Sequence, residues 1–209
     1  MPTYSQTKTQ ILDEIIPFGN SSILDTAVSR AIIAAQKYHE GLNKWWFTED
    51  TTAITTSSGQ SLYTLSSNII QIYSLAYNEA SAKYYPVYKP FKFIEEQRIT
   101  NITGIPRYYS IFRERLDLYP TPGRSATVSI SFHSKIPDPP GSASGSTTTR
   151  WLQEGLDLIK SRAKILVFEN TIRDFEQGQT LRQQELEFIE SLTTLNESRV
   201  MTGVTIKSL

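Results

Sequence analysis

The sequence predicts an α+β fold: a helical bundle formed by the N-terminal and C-terminal helices, with a β-rich antiparallel insertion between them. Three observations carry this. Apolar residues recur at helical spacing before residue 45 and again after residue 150. Between them the texture turns to Thr, Ser, Tyr and Ile interrupted by turn formers, the pattern of short strands. Packing the first and last parts together is the cheapest way to bury all the helical faces, which leaves the middle as an insertion with its two ends close.

The elements follow in order. Ile11, Leu12, Ile15 and Ile16 make a short amphipathic stretch ended by Pro17 and Gly19. A second helix is predicted to start at Ser22, with Asp25 completing a capping box. Its face is Leu24, Val28, Ala31, Ala35, Tyr38 and Leu42, whose alanines let a second helix approach closely. The run 69–77 is apolar on both parities and reads as buried on both sides. Pro86 marks 84–88 as an edge strand, and Pro90 opens a brief helix over 91–98. Residues 108–112 and 116–119 flank Arg113-Glu114-Arg115 as a hairpin. The clearest strand comes last, with Ala126, Val128, Ile130 and Phe132 on one face and Thr127, Ser129, Ser131 and His133 on the other.

After Pro137-Asp138-Pro139-Pro140, a small polar run through Thr149 reads as a linker. Helix then returns. Leu152, Leu156, Ile159, Ala163 and Leu166 form one face, and Leu158, Ile165, Phe168, Ile172 and Phe175 another, so this helix is expected at the centre of a bundle. Gly178 is expected to break it, with Leu181, Phe188, Leu192 and Leu195 on a second, antiparallel helix. The expected domains are residues 1–45 with 150–199 (helical), 46–136 (β-rich insertion), 137–149 (linker) and 200–209 (C-terminal tail).

Composition narrows the function. The 209 residues carry 21 Lys+Arg against 21 Asp+Glu, and a neutral chain is a poor nonspecific duplex binder, so the weight falls on protein partners. No cysteine is present, which removes disulfides and thiolate chemistry. The N-terminus shows no basic-then-apolar signal, and no apolar run is long enough to span a bilayer, so no membrane association is expected.

Candidate chemistry is sparse. His39 and His133 fall in different elements without a third partner and read as one surface and one strand-face histidine. The acidic pairs Glu49-Asp50 and Glu95-Glu96 could serve a cell-wall hydrolase but read as solvated faces. The cations Arg150, Lys160, Arg162, Lys164 and Arg173 alternate with acids and read as ordinary helix-surface pairing. No catalytic, cofactor or metal site is predicted. The tyrosines are more suggestive. Tyr84, Tyr85, Tyr88, Tyr108 and Tyr109 concentrate in the β part, and Tyr buries much area at low entropic cost while keeping a polar tip, which suits an interface. Beyond Arg199, Val204 and Ile206 share one strand parity in a short tail that cannot bury itself but can add to a partner sheet edge.

An ordered series of short motifs carries a resemblance. It runs from Leu42-Asn43-Lys44-Trp45-Trp46-Phe47 through Gly59-Gln60-Ser61-Leu62-Tyr63-Thr64-Leu65 and Pro106-Arg107-Tyr108-Tyr109. Leu116-Asp117-Leu118-Tyr119-Pro120-Thr121-Pro122, Lys135-Ile136-Pro137 and Trp151-Leu152 complete it. Over about residues 20–195 the chain resembles the head-to-tail adaptors of tailed bacteriophages, especially those with short tails. Two departures stand out: Ser66-Ser67-Asn68 where a proline and an aspartate are expected, and a long linker at 137–149.

The resemblance implies a structural virion protein at the head–tail junction, not an enzyme. It implies a ring, typically of twelve copies, under a portal protein, with a tail nozzle or fibre protein below and DNA only in transit through the lumen. The tail contact then falls to the five tyrosines. The portal contact falls to Val204, Ile206 and Leu209, because such adaptors grip the portal with their C-terminal tails. Other readings are a tail-completion or neck protein that does not touch the portal, and a virion-associated hydrolase.

Overall fold

The computed structural model describes residues 2–98, 102–136 and 148–202. Two helices open the chain, α1 (Tyr4–Ile15) and α2 (Ser21–Leu42). Strands β1 (Glu49–Thr55), β2 (Leu62–Thr64), β3 (Ile69–Glu79), β4 (Ala82–Tyr84) and β5 (Val87–Tyr88) lead to a short helix, α3 (Phe91–Gln97). Then come β6 (Thr103–Gly104), β7 (Tyr108–Phe112), β8 (Arg115–Tyr119), β9 (Thr121–Pro122) and β10 (Thr127–Ser134). Helices α4 (Arg150–Glu154), α5 (Leu156–Val167) and α6 (Phe175–Thr202) follow. Helices at both ends with strands between them make this an α+β chain. It divides into two compact units, one of residues up to Thr48 together with those from Ile136, the other Glu49–Lys135.

In the helical unit, α5 is central and packs against α1, α2, α4 and α6, as its two apolar faces require. The core joins Ile11 and Ile15 of α1 to Leu24, Val28 and Ile32 of α2, and to Leu158, Ile159 and Ala163 of α5. Trp45, Phe47 and Trp151 add a fully buried aromatic knot, with Phe47 and Trp151 edge-to-face at 4.8 Å. A Cβ on Gly155 would stand 2.7 Å from the Trp151 ring, so the α4–α5 junction needs a residue without one.

Several helix details depart from the sequence reading. The cap of α2 is Asn20, whose side chain accepts from the Ser22 N–H at 3.0 Å, because Asp25 is taken by Lys8 of α1 at 2.7 Å. The capping box lies instead at Thr3 and Gln6. Tyr38 and Leu42 are exposed, and Ile32, Gln36 and His39 complete the buried face. The C-terminal break falls before Gly178: a π turn at Phe168–Ile172 ends at Arg173, in the left-handed region at φ 64°. Gly178 lies inside α6, where a Cβ would come within 3.0 Å of the Glu169 side chain, itself held by Arg182. Phe188, Leu195 and Phe175 are exposed, while Leu181, Ile189 and Leu192 face the core. Helix α6 also runs past Arg199 to Thr202, its last turns tied down by Asn196, which donates to the Lys44 carbonyl and accepts from the Trp46 N–H.

The β unit is two four-stranded sheets over one core, in the orders β1-β10-β3-β4 and β2-β8-β7-β5, with a separate parallel pair β6–β9. Val128, Ile130 and Phe132 of β10 face Leu116 and Leu118 of β8 across that core. Pairing is antiparallel throughout the first sheet, whereas β5 runs parallel to β7 in the second. The 108–119 hairpin turns at Arg113-Glu114, both in the left-handed region that a two-residue turn demands. Strand β3 is buried on both faces only at Leu75, Ala76 and Tyr77; Ile70 and Tyr73 nearer its start are exposed.

Candidate functional site

The surface best suited to a partner is aromatic and lies where the chain passes from one sheet to the other. It leaves the first sheet after β4 and joins the second at β5, with Pro86 buried between. Proline lacks the N–H a central strand must donate, which fits both flanking strands being sheet edges. The predicted 84–88 edge is therefore two edges, one in each sheet.

The five predicted tyrosines separate. Tyr85 is 64% exposed and Tyr88 54%, with Tyr84 at 36%, whereas Tyr109 is 8% exposed and packs into the core. Burial, with Tyr88 beside it, pushes the Tyr109 phenol above its ordinary range. The β5–β7 register sets Val87 opposite Tyr108 and Tyr88 opposite Tyr109, so Tyr88 meets Tyr109 with the rings 5.6 Å apart, while Tyr108 lies on the other face of β7. Tyr84 and Tyr85 stand on the other side of Pro86.

Phenylalanines and cations complete the surface. Phe91 stacks on Phe112 at 4.7 Å, and Phe93 meets Tyr108 edge-to-face at 5.4 Å. Lys83 lies 5.4 Å from the Tyr85 ring, Lys89 lies 5.3 Å from Phe93, and Arg113 covers Phe112. Beside β5, Ile69–Ile72 of β3 together with Tyr88, Tyr109 and Ile111 border an open groove of about 500 Å³. The signal for the added residues was in the sequence: from Lys83 to Phe93 there are three lysines, five aromatics and no acid.

The other candidates are accounted for. His39 is fully buried rather than on the surface, with Nε2 3.2 Å from Oε1 of Glu185, which also pairs with Arg162 at 3.2 Å. His133 is half-buried on its strand face, 5.4 Å from the Tyr73 ring. The carboxylates separate as well: Glu95 and Glu96 are exposed on α3, while burial holds the Glu49 carboxyl above its ordinary range. Lys160 and Lys164 pair across the bundle with Glu14, not with neighbours on their own helix. Asp117 is buried against Arg98, and that burial outweighs the guanidinium and holds its carboxyl above the usual range. Among the described residues no helix is long and apolar enough to cross a membrane. Val204, Ile206, Leu209 and the linker up to residue 147 lie outside the described residues.

Compared with known proteins, the chain matches the family model described as SU10 adaptor protein over residues 2–205. No curated protein matches it.

Proposed function

The chain belongs to the SU10 adaptor protein family, which makes it a bacteriophage adaptor and a virion component, and we propose that it joins the head to the tail as a ring under the portal. In this reading the helical unit forms the ring, with DNA in transit through the lumen, and the β unit faces a tail nozzle or fibre protein. The C-terminal Val204, Ile206 and Leu209 grip the portal. The role is structural and not catalytic. The observation that carries it is the length of the family match, which takes in both compact units and not one alone. The exposed aromatics of the β unit support its partner-facing role, since Tyr and Trp anchors dominate interface energetics.

Two measurements test the proposal. Pull-down with purified portal and nozzle proteins must capture both; capture of the nozzle alone would make this a neck protein that does not touch the portal. Light scattering must show a monomer or loose oligomer in isolation and a ring-sized species only once portal is added. A stable ring without portal overturns templated assembly.

A further inference from the structure

We propose that a groove between α2 and α5 of the helical unit takes the exposed side of α6 from a second copy of the chain. The inference rests on the ring reading above and names the two surfaces that would meet.

The groove is open and holds about 620 Å³. Ile23, Ala27, Arg30 and Ala34 of α2 form one wall, and Leu166 of α5 with Asn170 of the π turn forms the other. Ile23 is 60% exposed, which leaves apolar area in water that a partner would cover. The small alanine side chains let another helix come close. Helix α6 carries the matching relief. Its Phe175 is 64% exposed and its Leu186 58%. The eleven residues between them are about three helical turns, so both stand on one side of the helix. Glu190 follows Leu186 one turn further along that side and is also exposed.

Charge decides which surface meets which. Arg30 is the one charged residue in the lining, and it makes no ion pair among the described residues. From Gln183 to Ser198, α6 carries four Glu and no Lys or Arg. Of these Glu185 is buried, while Glu187, Glu190 and Glu197 are exposed. Arg182, just before that run, is taken by Glu169 of its own chain at 2.7 Å. Groove against groove would bring Arg30 to Arg30, and α6 against α6 would bring glutamate to glutamate. Groove against α6 joins opposite charges. A copy that offers a different patch to each neighbour makes a head-to-tail contact, which builds a ring when the rotation closes. Exposed ion pairs are weak, so such a contact fits a chain that associates loosely until a template holds its copies side by side.

The chain has no cysteine, so introduced thiols are unique. Full-length Ala34→Cys and Gln183→Cys chains, both substituted at exposed positions, are treated with a short bis-maleimide, with and without purified portal. A mixture of the two must crosslink while neither does alone, and a chain carrying both substitutions must give a ladder that passes the dimer. Adding Arg30→Glu to the first chain must lower the yield by about fivefold, the upper range for an exposed ion pair. Adding Glu187→Lys and Glu190→Lys to its partner must then restore the yield, which loss of fold would not do. No crosslink in either condition, self-crosslinking of a single variant at the mixture's yield, a ladder that stops at the dimer, or no rescue by charge reversal overturns the proposal. A portal-bound ring without the crosslink refutes this contact and leaves the ring. Crosslinked copies that never join the portal keep the contact and refute the templated ring.

Discussion

Glu185 is the buried carboxylate among the described residues of the helical unit. Its side chain is 5% exposed and accepts from Arg162 of α5, itself 16% exposed, while His39 of α2 is completely enclosed beside it. The guanidinium also lies 3.5 Å from the centre of the Tyr38 ring, and its Nε has no hydrogen-bond partner among the described residues. Glu185→Leu would strand that buried cation, and removing one partner of a buried pair costs about 3–5 kcal/mol. Replacing both partners is a different perturbation. Arg162→Met with Glu185→Leu removes the two desolvated charges together and should recover most of that loss, less about 1–3 kcal/mol for the buried His39 Nε2 left without its carboxylate. Urea unfolding followed by tryptophan fluorescence reads the outcome selectively, because Trp45, Trp46 and Trp151 all lie in the helical unit. The midpoint should fall sharply for Glu185→Leu and for Arg162→Met alone and recover in the double variant, giving a coupling energy well above the ~0.5 kcal/mol expected of independent sites. A single-variant loss below ~1 kcal/mol, or a double variant as damaged as the sum of the singles, would refute the reasoning.

Three further outcomes follow from packing and charge. Gly155→Ala should cost about 1–3 kcal/mol by forcing the Trp151 ring aside, whereas Gly178→Ala should be near neutral, its helix-propensity gain set against a movable Glu169 side chain; the same unfolding assay compares them. Tyr85→Ser should leave unfolding within about 0.5 kcal/mol while weakening nozzle capture, and Tyr109→Ser should cost at least about 3 kcal/mol because its ring is core. For Glu14, burial raises the carboxyl pKa but Lys164 and Lys160 outweigh it and the net shift is downward. Its stabilisation is therefore present above the ordinary carboxylate range and lost as pH falls through the lowered value. Because the side chain is 44% exposed, Glu14→Gln should cost under about 1 kcal/mol at neutral pH, less in high salt, and nothing in strong acid, which a pH series of unfolding curves would check.

What the sequence made legible was whatever depends on apolar spacing. The alternation of β10 and the double-faced α5 follow from period, and the 108–119 hairpin from two strand-like runs flanking a charged triplet; the structure has all three. Polar residues that belong inside were not legible. Gln36 and His39 complete the buried face of α2, and their acceptability depends on Ile136 and Glu185, one hundred or more residues away. A pattern that scores only apolar positions chose Tyr38, which instead lies on the flank against Arg162. Gly178 misled for a related reason. A glycine that ends a helix and one that admits a neighbouring side chain look alike until Glu169 is seen beside it. On the candidate surface, parity was decisive. Adjacent Tyr108 and Tyr109 point to opposite faces, so at most one of them could have been an exposed anchor.

The register of β1 on β10 has a consequence for how the chain folds. Glu49, the first residue of the β unit, is the antiparallel partner of His133, near its last. Antiparallel partners bring their Cα atoms to about 4.5–5.5 Å. Helices α1 and α2 leave the ribosome long before α5, the helix that buries their apolar faces, and meanwhile have only each other. If residues 49–135 condense first, the tether between the two halves of the bundle contracts from some ninety flexible residues to a short clamp. Loop-closure entropy then opposes docking by about 2–3 kcal/mol less. The insertion acts as a folding staple, and pulsed hydrogen exchange should find β1 and β10 amides protected no later than those of α5. Bundle amides protected while the strands still exchange freely would reverse that order.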